Sequence, residues 1–205
     1  MRMLKYSTLL ICLLTVLSCK VAKEDGLESS REIVNTNYNS QANSTDYELI
    51  FPNNWLGFWE GDLNIYNEMG LKQTLPMSLD HSISDVSGTY NWAIIYGSDS
   101  IAGRRDYVLK EVDKSKGHYI VDEKNGILLD AYLIDNELIS VFDVMGNSLI
   151  STYKIEGNNM IFEIMMYKSQ HLNITGDTII GTDTIPPVKS YKPFVRQKAV
   201  LTKMD

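Results

Sequence analysis

The feature that most constrains the fold is a series of short segments in which apolar and polar residues alternate, each ended by a turn. The alternation is clearest in residues 71–83, where Leu75, Met77 and Leu79 share one face, and in residues 149–155. A period of two indicates half-buried β-strands, because successive side chains point to opposite faces of a sheet. The predicted strands are residues 57–66, 71–83, 88–97, 104–113, 117–123, 127–134, 137–145, 148–156, 160–168 and 191–203.

The connections between these segments have the composition of hairpin turns. Asn125-Gly126, Asp135-Asn136, Gly146-Asn147 and Gly157-Asn158 supply residues that tolerate positive φ. No helical pattern of useful length follows residue 55. Consecutive strands on tight turns predict an antiparallel meander, and about ten strands hide their edges best by closing into a barrel. We therefore predict an all-β domain over residues 50–205, a roughly ten-stranded antiparallel barrel, with an open β-sandwich as the alternative.

One connection is long. Residues 169–190 join the ninth and tenth predicted strands and contain Gly176, Gly181 and a Pro186-Pro187 pair. Loops of this length in a compact domain are usually functional or disordered.

The first eighteen residues have the layout of a secretory signal. Arg2 and Lys5 precede an apolar run that is too short to span a bilayer. Val16-Leu17-Ser18-Cys19 resembles the lipobox of bacterial lipoproteins, which implies cleavage before Cys19 and a lipid on its sulfur; an ordinary signal peptide is the alternative. We therefore expect a lipid-anchored protein of the bacterial envelope, at the outer membrane and facing either the periplasm or the cell surface.

Residues 19–49 lack apolar periodicity and predict a flexible tether behind the lipidated cysteine. The only other cysteine, Cys12, is removed with the signal, so the domain must be stabilised without a disulfide. Removal of Arg2 and Lys5 leaves 17 basic residues against 26 acidic ones, a net charge of −9. Such a balance argues against nucleic acid as a partner.

Two positions near the ends of the domain carry a resemblance to a known superfamily. Gly57-Phe58-Trp59 opens the first strand, and Arg196 lies in the last strand. This pairing resembles the calycins, which include lipocalins and fatty-acid-binding proteins. The resemblance implies that Trp59 closes the barrel floor and that Arg196 packs over it. Residues 105–130 also resemble uncharacterised envelope lipoproteins of the Bacteroidetes type.

The resemblance implies that a small apolar or amphipathic molecule binds inside the barrel. Of the neighbours Arg104 and Arg105 only one can point inward, and an inward Arg105 could hold a carboxylate with bidentate geometry. The aromatic candidates for the pocket wall are Tyr90, Trp92, Tyr107, Tyr132, Phe142 and Tyr153. The same rings would also serve as ordinary barrel core.

Other chemistry finds little support in the sequence. His81, His118 and His171 follow no metal-ligand spacing, and no catalytic or phosphate-binding motif is present, so we predict neither a metal, a cofactor nor a catalytic residue. Asp130, Asp143 and Glu163 would make a glycan hydrolase conceivable if two of them faced the lumen, although the outer face is expected for them. Ser100, Thr178 and Thr184 follow aspartate and precede isoleucine, which resembles the acceptor of Bacteroidetes-type O-glycosylation.

Three functions therefore stay open. The first is a non-catalytic lipoprotein that binds a small apolar or amphipathic ligand in its barrel. The second is a structural or interaction module that engages another envelope protein, and the third is a hydrolase acting on glycans. The sequence leaves the ligand, the leaflet, the oligomeric state and the role of residues 169–190 undetermined.

Overall fold

A computed structural model describes residues 51–205 of the chain. The predicted signal peptide (residues 1–18), the lipidated Cys19 and the tether (residues 19–49) lie outside the described residues. In the described part, no helix has the length and apolar character needed to cross a bilayer.

The described chain is almost entirely β-structure. Its strands are β1 (Gly57–Asn67), β2 (Gly70–Ile83), β3 (Thr89–Tyr96), β4 (Arg104–Asp113), β5 (His118–Asp122), β6 (Leu128–Ile134), β7 (Glu137–Val144), β8 (Asn147–Glu156), β9 (Asn159–Lys168), β10 (Asn173–Thr175), β11 (Thr178–Ile180), β12 (Asp183–Ile185), β13 (Val188–Ser190) and β14 (Pro193–Met204). Short 3-10 turns cover Asn53–Trp55 and Lys114–Lys116.

Ten of these strands form one closed antiparallel barrel. Each strand from β1 to β9 pairs with the next, and β14 completes the circle between β9 and β1. The predicted all-β class and the ten-stranded barrel are therefore confirmed, and the β-sandwich alternative is excluded. Closure removes the exposed strand edges that an open meander of this length would carry.

The turn chemistry explains the strand register. Asp135 and Asn136 both have positive φ (49° and 59°), as a two-residue type I′ hairpin between β6 and β7 requires. Met145 and Gly146, between β7 and β8, also both have positive φ (49° and 74°). These turns fix which residues of neighbouring strands face each other, and therefore which side chains point inward.

The long connection has more structure than predicted. Strands β10 and β13 pair, as do β11 and β12, so residues 173–190 form a two-stranded hairpin arm outside the barrel. Almost every side chain in the arm is exposed. Its strands are three residues long and bury no face, so the alternation used to predict the other strands is absent.

One end of the barrel is closed by the chain that leads into β1. Phe51 and Trp55 are buried there, and their rings meet edge to face with centroids 4.6 Å apart. Trp59 Nε1 donates a hydrogen bond to the Trp55 carbonyl at 2.9 Å. The ring of His81 is fully buried, with its nitrogens 3.2 Å from the Asn91 carbonyl and 3.3 Å from the Pro52 carbonyl. We call this the closed end.

Aromatic rings also cross the barrel interior above the closed end. Strands β3 and β8 lie on opposite sides of the ten-stranded circle, yet the rings of Trp92 and Tyr153 are in edge contact at 5.1 Å. Tyr153 in turn packs against Phe162 at 4.7 Å. These three rings form a floor across the barrel, which we call the aromatic floor.

Candidate functional site

Arg105 lies in β4 and points into the barrel. It pairs with the inward-facing Ile94 and is followed two residues later by the buried Tyr107. The guanidinium Nη1 donates to the carbonyls of Ala102 and Arg104 at 2.9 and 2.7 Å. Its Nε is buried and has no hydrogen-bond partner among residues 51–205. The site therefore contains a positively charged group with an unused donor.

The neighbouring Arg104 faces the opposite side of the sheet. Its Nε donates to Asp106 Oδ1 at 2.7 Å, and its Nη2 lies 3.4 Å from Asp80 Oδ2. Both partners are carboxylates on the outer surface, and all three side chains are partly exposed. As predicted, only one of the two arginines points inward, and it is Arg105.

Arg105 stands above the aromatic floor. Trp92 pairs with Tyr107, which lies two residues further along β4 than Arg105, a separation of about 6.7 Å along a strand. Other inward polar side chains are the paired Ser140 and Ser151, together with Gln197, which is 3% exposed. Glu123, directly after β5, is also buried, with 7% of its surface exposed. The buried polar groups therefore include a carboxylate and several neutral groups besides the Arg105 guanidinium.

The predicted aromatic wall is only partly assembled. Tyr107 and Phe142 point inward, whereas Trp92 and Tyr153 are used in the aromatic floor. Burial raises the pKa of Tyr153, so its hydroxyl stays neutral across the physiological range. Tyr90 lies at the closed end, with its hydroxyl 3.4 Å from Asn53 Oδ1. Whether the inward rings contact a ligand stays a prediction.

Tyr132 was predicted to line the same wall, and the structure corrects this. Its ring is on the outer surface, 43% exposed, and stacks on His118 with centroids 4.6 Å apart. In β6 the buried Ala131 points inward, so the next residue must point out.

The predicted pairing of Arg196 with Trp59 is also wrong. Arg196 faces outward from β14 and forms a two-point ion pair with Glu163, at 2.8 and 3.0 Å from Nη2. The residue of β14 that pairs with Trp59 is Lys203, whose Nζ lies 5.6 Å from the centre of the indole ring. Trp59 does lie at the closed end, covered by a basic side chain from the last strand, but that side chain is Lys203.

The remaining candidates are on the surface. Asp130 accepts from His118, Asp143 from Ser148, and Glu163 pairs with Arg196, so all three carboxylates are on the outer face as expected. In residues 51–205, no group of three or more histidine, cysteine, aspartate or glutamate side chains is placed to hold a metal ion. The structure thus provides no inward carboxylate pair of the kind that a glycan hydrolase needs from these residues.

The three predicted modification sites are sterically accessible. Ser100 lies in the exposed turn between β3 and β4, where Asp99 Oδ1 accepts from the backbone of Ile101 and Ala102. Thr178 and Thr184 are exposed on the hairpin arm. Their modification stays a prediction.

A second concave region was not predicted from the sequence. It lies on the outer surface where β7 and β9 end and β8 begins, at the root of the hairpin arm, and has a volume of about 430 Å³. We call it the arm-root groove. Its residues come from four separate segments, so only the strand register brings them together.

The closed ten-stranded meander with a buried tryptophan at its closed end defines a calycin-like barrel. The fold of this chain is similar to that of a protein of unknown function of the DUF3598 family from Nostoc punctiforme PCC 73102, with a TM-score of 0.51 and 9% identity. The match covers 74% of this chain and 48% of that protein, so the chain spans about half its length. This likeness concerns the fold alone.

Two further solved structures are similar at lower scores. An S-type phycobiliprotein lyase from Guillardia theta gives a TM-score of 0.45 at 8% identity, covering 73% of this chain and 88% of that one. A variant of the fluorescent protein UnaG gives 0.37 at 13% identity, covering 74% and 96%. No family model and no curated protein matches the chain.

Proposed function

We propose that the barrel binds a small apolar or amphipathic molecule above the aromatic floor, with an anionic group held by Arg105. The observation that carries this proposal is the buried, unpartnered Nε of an inward-facing guanidinium. A buried donor without a partner costs roughly 1–3 kcal/mol, and a carboxylate would satisfy it with a charge-assisted bond. The apolar wall around it suits the rest of such a ligand.

The aromatic floor limits where this ligand can lie. Trp92 and Tyr153 touch across the barrel, and the buried rings of Phe51, Trp55 and Trp59 occupy the closed end below them. A bound molecule is therefore confined to the end where Arg105 and Phe142 lie, and reaches solvent there rather than at the closed end.

Native mass spectrometry of residues 20–205, purified gently from a bacterial host, tests the proposal. We expect an additional mass that is lost on denaturation, and we expect the Arg105→Gln variant to be purified without it. Arg104→Gln, one residue away on the outer surface, is the matched control and should retain the mass. An apo wild-type protein that also fails to take up medium-chain carboxylates would overturn the proposal.

We further propose that the barrel is held at the bacterial envelope by a lipid on Cys19. The support is the lipobox-like Val16-Leu17-Ser18-Cys19 after a short apolar run. The lipid would contribute about 0.8 kcal/mol for each buried methylene. Cys19→Ala should move the protein from the membrane fraction to the soluble fraction and abolish incorporation of labelled palmitate. Unchanged fractionation of that variant would contradict the anchor.

An interaction module is the second candidate function, and the hairpin arm is the observation that favours it. Ile179 and Ile180 near its tip are 70% and 66% exposed, and Leu172 at its root is 62% exposed. Exposed apolar residues on a projecting element are typical of protein contacts. This role is compatible with a ligand in the barrel.

A further inference from the structure

The arm-root groove lies on the outer surface and is separate from the barrel interior. Its wall is formed mainly by outward-facing residues at the end of β7, the start of β8, the end of β9 and the chain that enters β14. Ser148 pairs with both Asp143 and Tyr167 in the sheet, so these three side chains stand in one row. Tyr191 closes the row, its ring meeting that of Tyr167 at 5.4 Å and 61°.

The carboxylate in the groove is held by a buried hydroxyl. Ser148 is 6% exposed, and its Oγ donates to Asp143 Oδ1 at 2.5 Å while lying 3.0 Å from Ser169 Oγ. This network engages one carboxylate oxygen of Asp143. No described residue donates to the other oxygen, Oδ2, which is therefore available to a donor from outside.

The charge of the wall selects the kind of ligand. Asp143 is the sole charged residue among the described residues that line the groove, and the outward-facing Tyr167 and Tyr191 supply two aromatic rings. The nearby Lys168 is turned away, with its Nζ 2.9 Å from Asn147 Oδ1 and 4.8 Å from the centre of the Phe194 ring. An anion would meet a like charge here, whereas a cation would meet a carboxylate and aromatic faces.

We propose that the arm-root groove binds an organic ammonium group. A tetrahedral ammonium can lie over an aromatic ring within about 6 Å of its centroid while contacting a carboxylate. The groove is of the size that encloses a small headgroup or the end of a lysine side chain. The net negative charge of the whole chain would assist the approach of cations.

The test is a titration of the full-length protein in a non-ionic detergent, followed by ligand-observed NMR and calorimetry. The probes are choline chloride and N-acetyl-lysine methylamide, and the control is 3,3-dimethyl-1-butanol, the uncharged carbon isostere of choline. We expect at least one cation to bind and the isostere to bind at least about tenfold more weakly. The two cations distinguish a lipid-type headgroup from a protein side chain as the source of the ammonium.

Variants locate the binding. Asp143→Asn and Tyr191→Ala should each weaken cation binding about tenfold. Asp62→Asn is the charge-matched control on an exposed position of β1, and Tyr132→Ala is the aromatic control, because Tyr132 and Tyr191 are 43% and 42% exposed. The proposal would be overturned if neither cation bound at 20 mM, which is roughly the weak limit for one ammonium contact. It would also be overturned if the isostere bound as well as choline, or if the control variants lost as much binding as the groove variants. Arg105→Gln should leave this binding unchanged, which separates the groove from the proposed interior site.

Discussion

At the scale of single residues, the closed end depends on His81. Its ring is fully buried and faces two carbonyl oxygens, those of Pro52 and Asn91, with Asp80 as the nearby charge. Burial lowers the pKa of His81 to about 4, although the two carbonyls and Asp80 act in the opposite direction. The neutral ring is therefore the folded form at neutral pH.

This predicts a loss of stability in acid. Between pH 6.5 and 4 the unfolded chain binds a proton that folded His81 does not, so the free energy of unfolding falls as the pH falls through this window. The contribution of His81 should decrease by about 2 kcal/mol between pH 7 and pH 4.5. Urea denaturation at both pH values measures it. Because glutamine does not titrate, His81→Gln should lack the His81 contribution to the fall in the free energy of unfolding. If the variant showed the same pH dependence as the wild type, His81 would not be the group responsible.

A second residue-scale prediction concerns the cover of Trp59. Removing the charge in Lys203→Met should shift the Trp59 indole N–H resonance and cost about 0.5–1 kcal/mol, the usual value of an exposed cation–π contact. Arg196→Met should leave that resonance in place, because Arg196 pairs with Glu163 on the outer surface. The reverse pattern in a two-dimensional NMR spectrum would restore the pairing expected from the sequence.

At the scale of elements, the sequence predicted the barrel strands closely. Residues 104–113 were predicted as the strand that the structure contains, and most other strands differ by one or two residues at an end. The reason is that alternation and turn residues such as Asp135-Asn136 act locally. The partner of Trp59 depends on the register between β1 and β14, which are distant in sequence, and local signals do not determine it. The direction of Tyr132 was missed because β6 carries apolar residues on both faces, so its alternation does not indicate which face is inward.

The hairpin arm shows the opposite case. Its strands were missed because three-residue ladders without a buried face leave no hydrophobic pattern. The arm-root groove was missed for a related reason: its residues are ordinary outward-facing polar and aromatic side chains until the paired strands place them in one row.

An element-scale prediction follows for the arm. Replacing residues 174–188 by two glycines should change the free energy of unfolding by no more than about 0.5 kcal/mol, because the removed side chains are largely exposed. The ends of the excised segment are already adjacent, since Leu172 N donates to the Ser190 carbonyl at 2.7 Å. Denaturant unfolding measures the change. A loss of several kcal/mol would show that the arm is part of the barrel's support instead of a projecting element.

At the scale of the whole molecule, pairing between the first and last strands completes the circle of the barrel. Strand β1 pairs with β14 over residues 58–66 and 196–204, which joins the beginning and end of the domain in one ladder. The entering segment fills the closed end, and the aromatic floor fills the section above it. What distinguishes the other end is an inward guanidinium with an unused donor, and this polarity is the basis of the proposed ligand site.

The most direct test of this account is a calorimetric titration with dodecanoate of the wild-type protein and the two neighbouring arginine variants. Loss of a charge-assisted hydrogen bond is worth about 1.5–3 kcal/mol, so Arg105→Gln should weaken binding by at least about tenfold. Arg104→Gln should remain within about twofold of wild type, because its partners Asp80 and Asp106 lie on the outer surface. Wild-type affinity in Arg105→Gln, or equal losses in both variants, would contradict a ligand site built around Arg105.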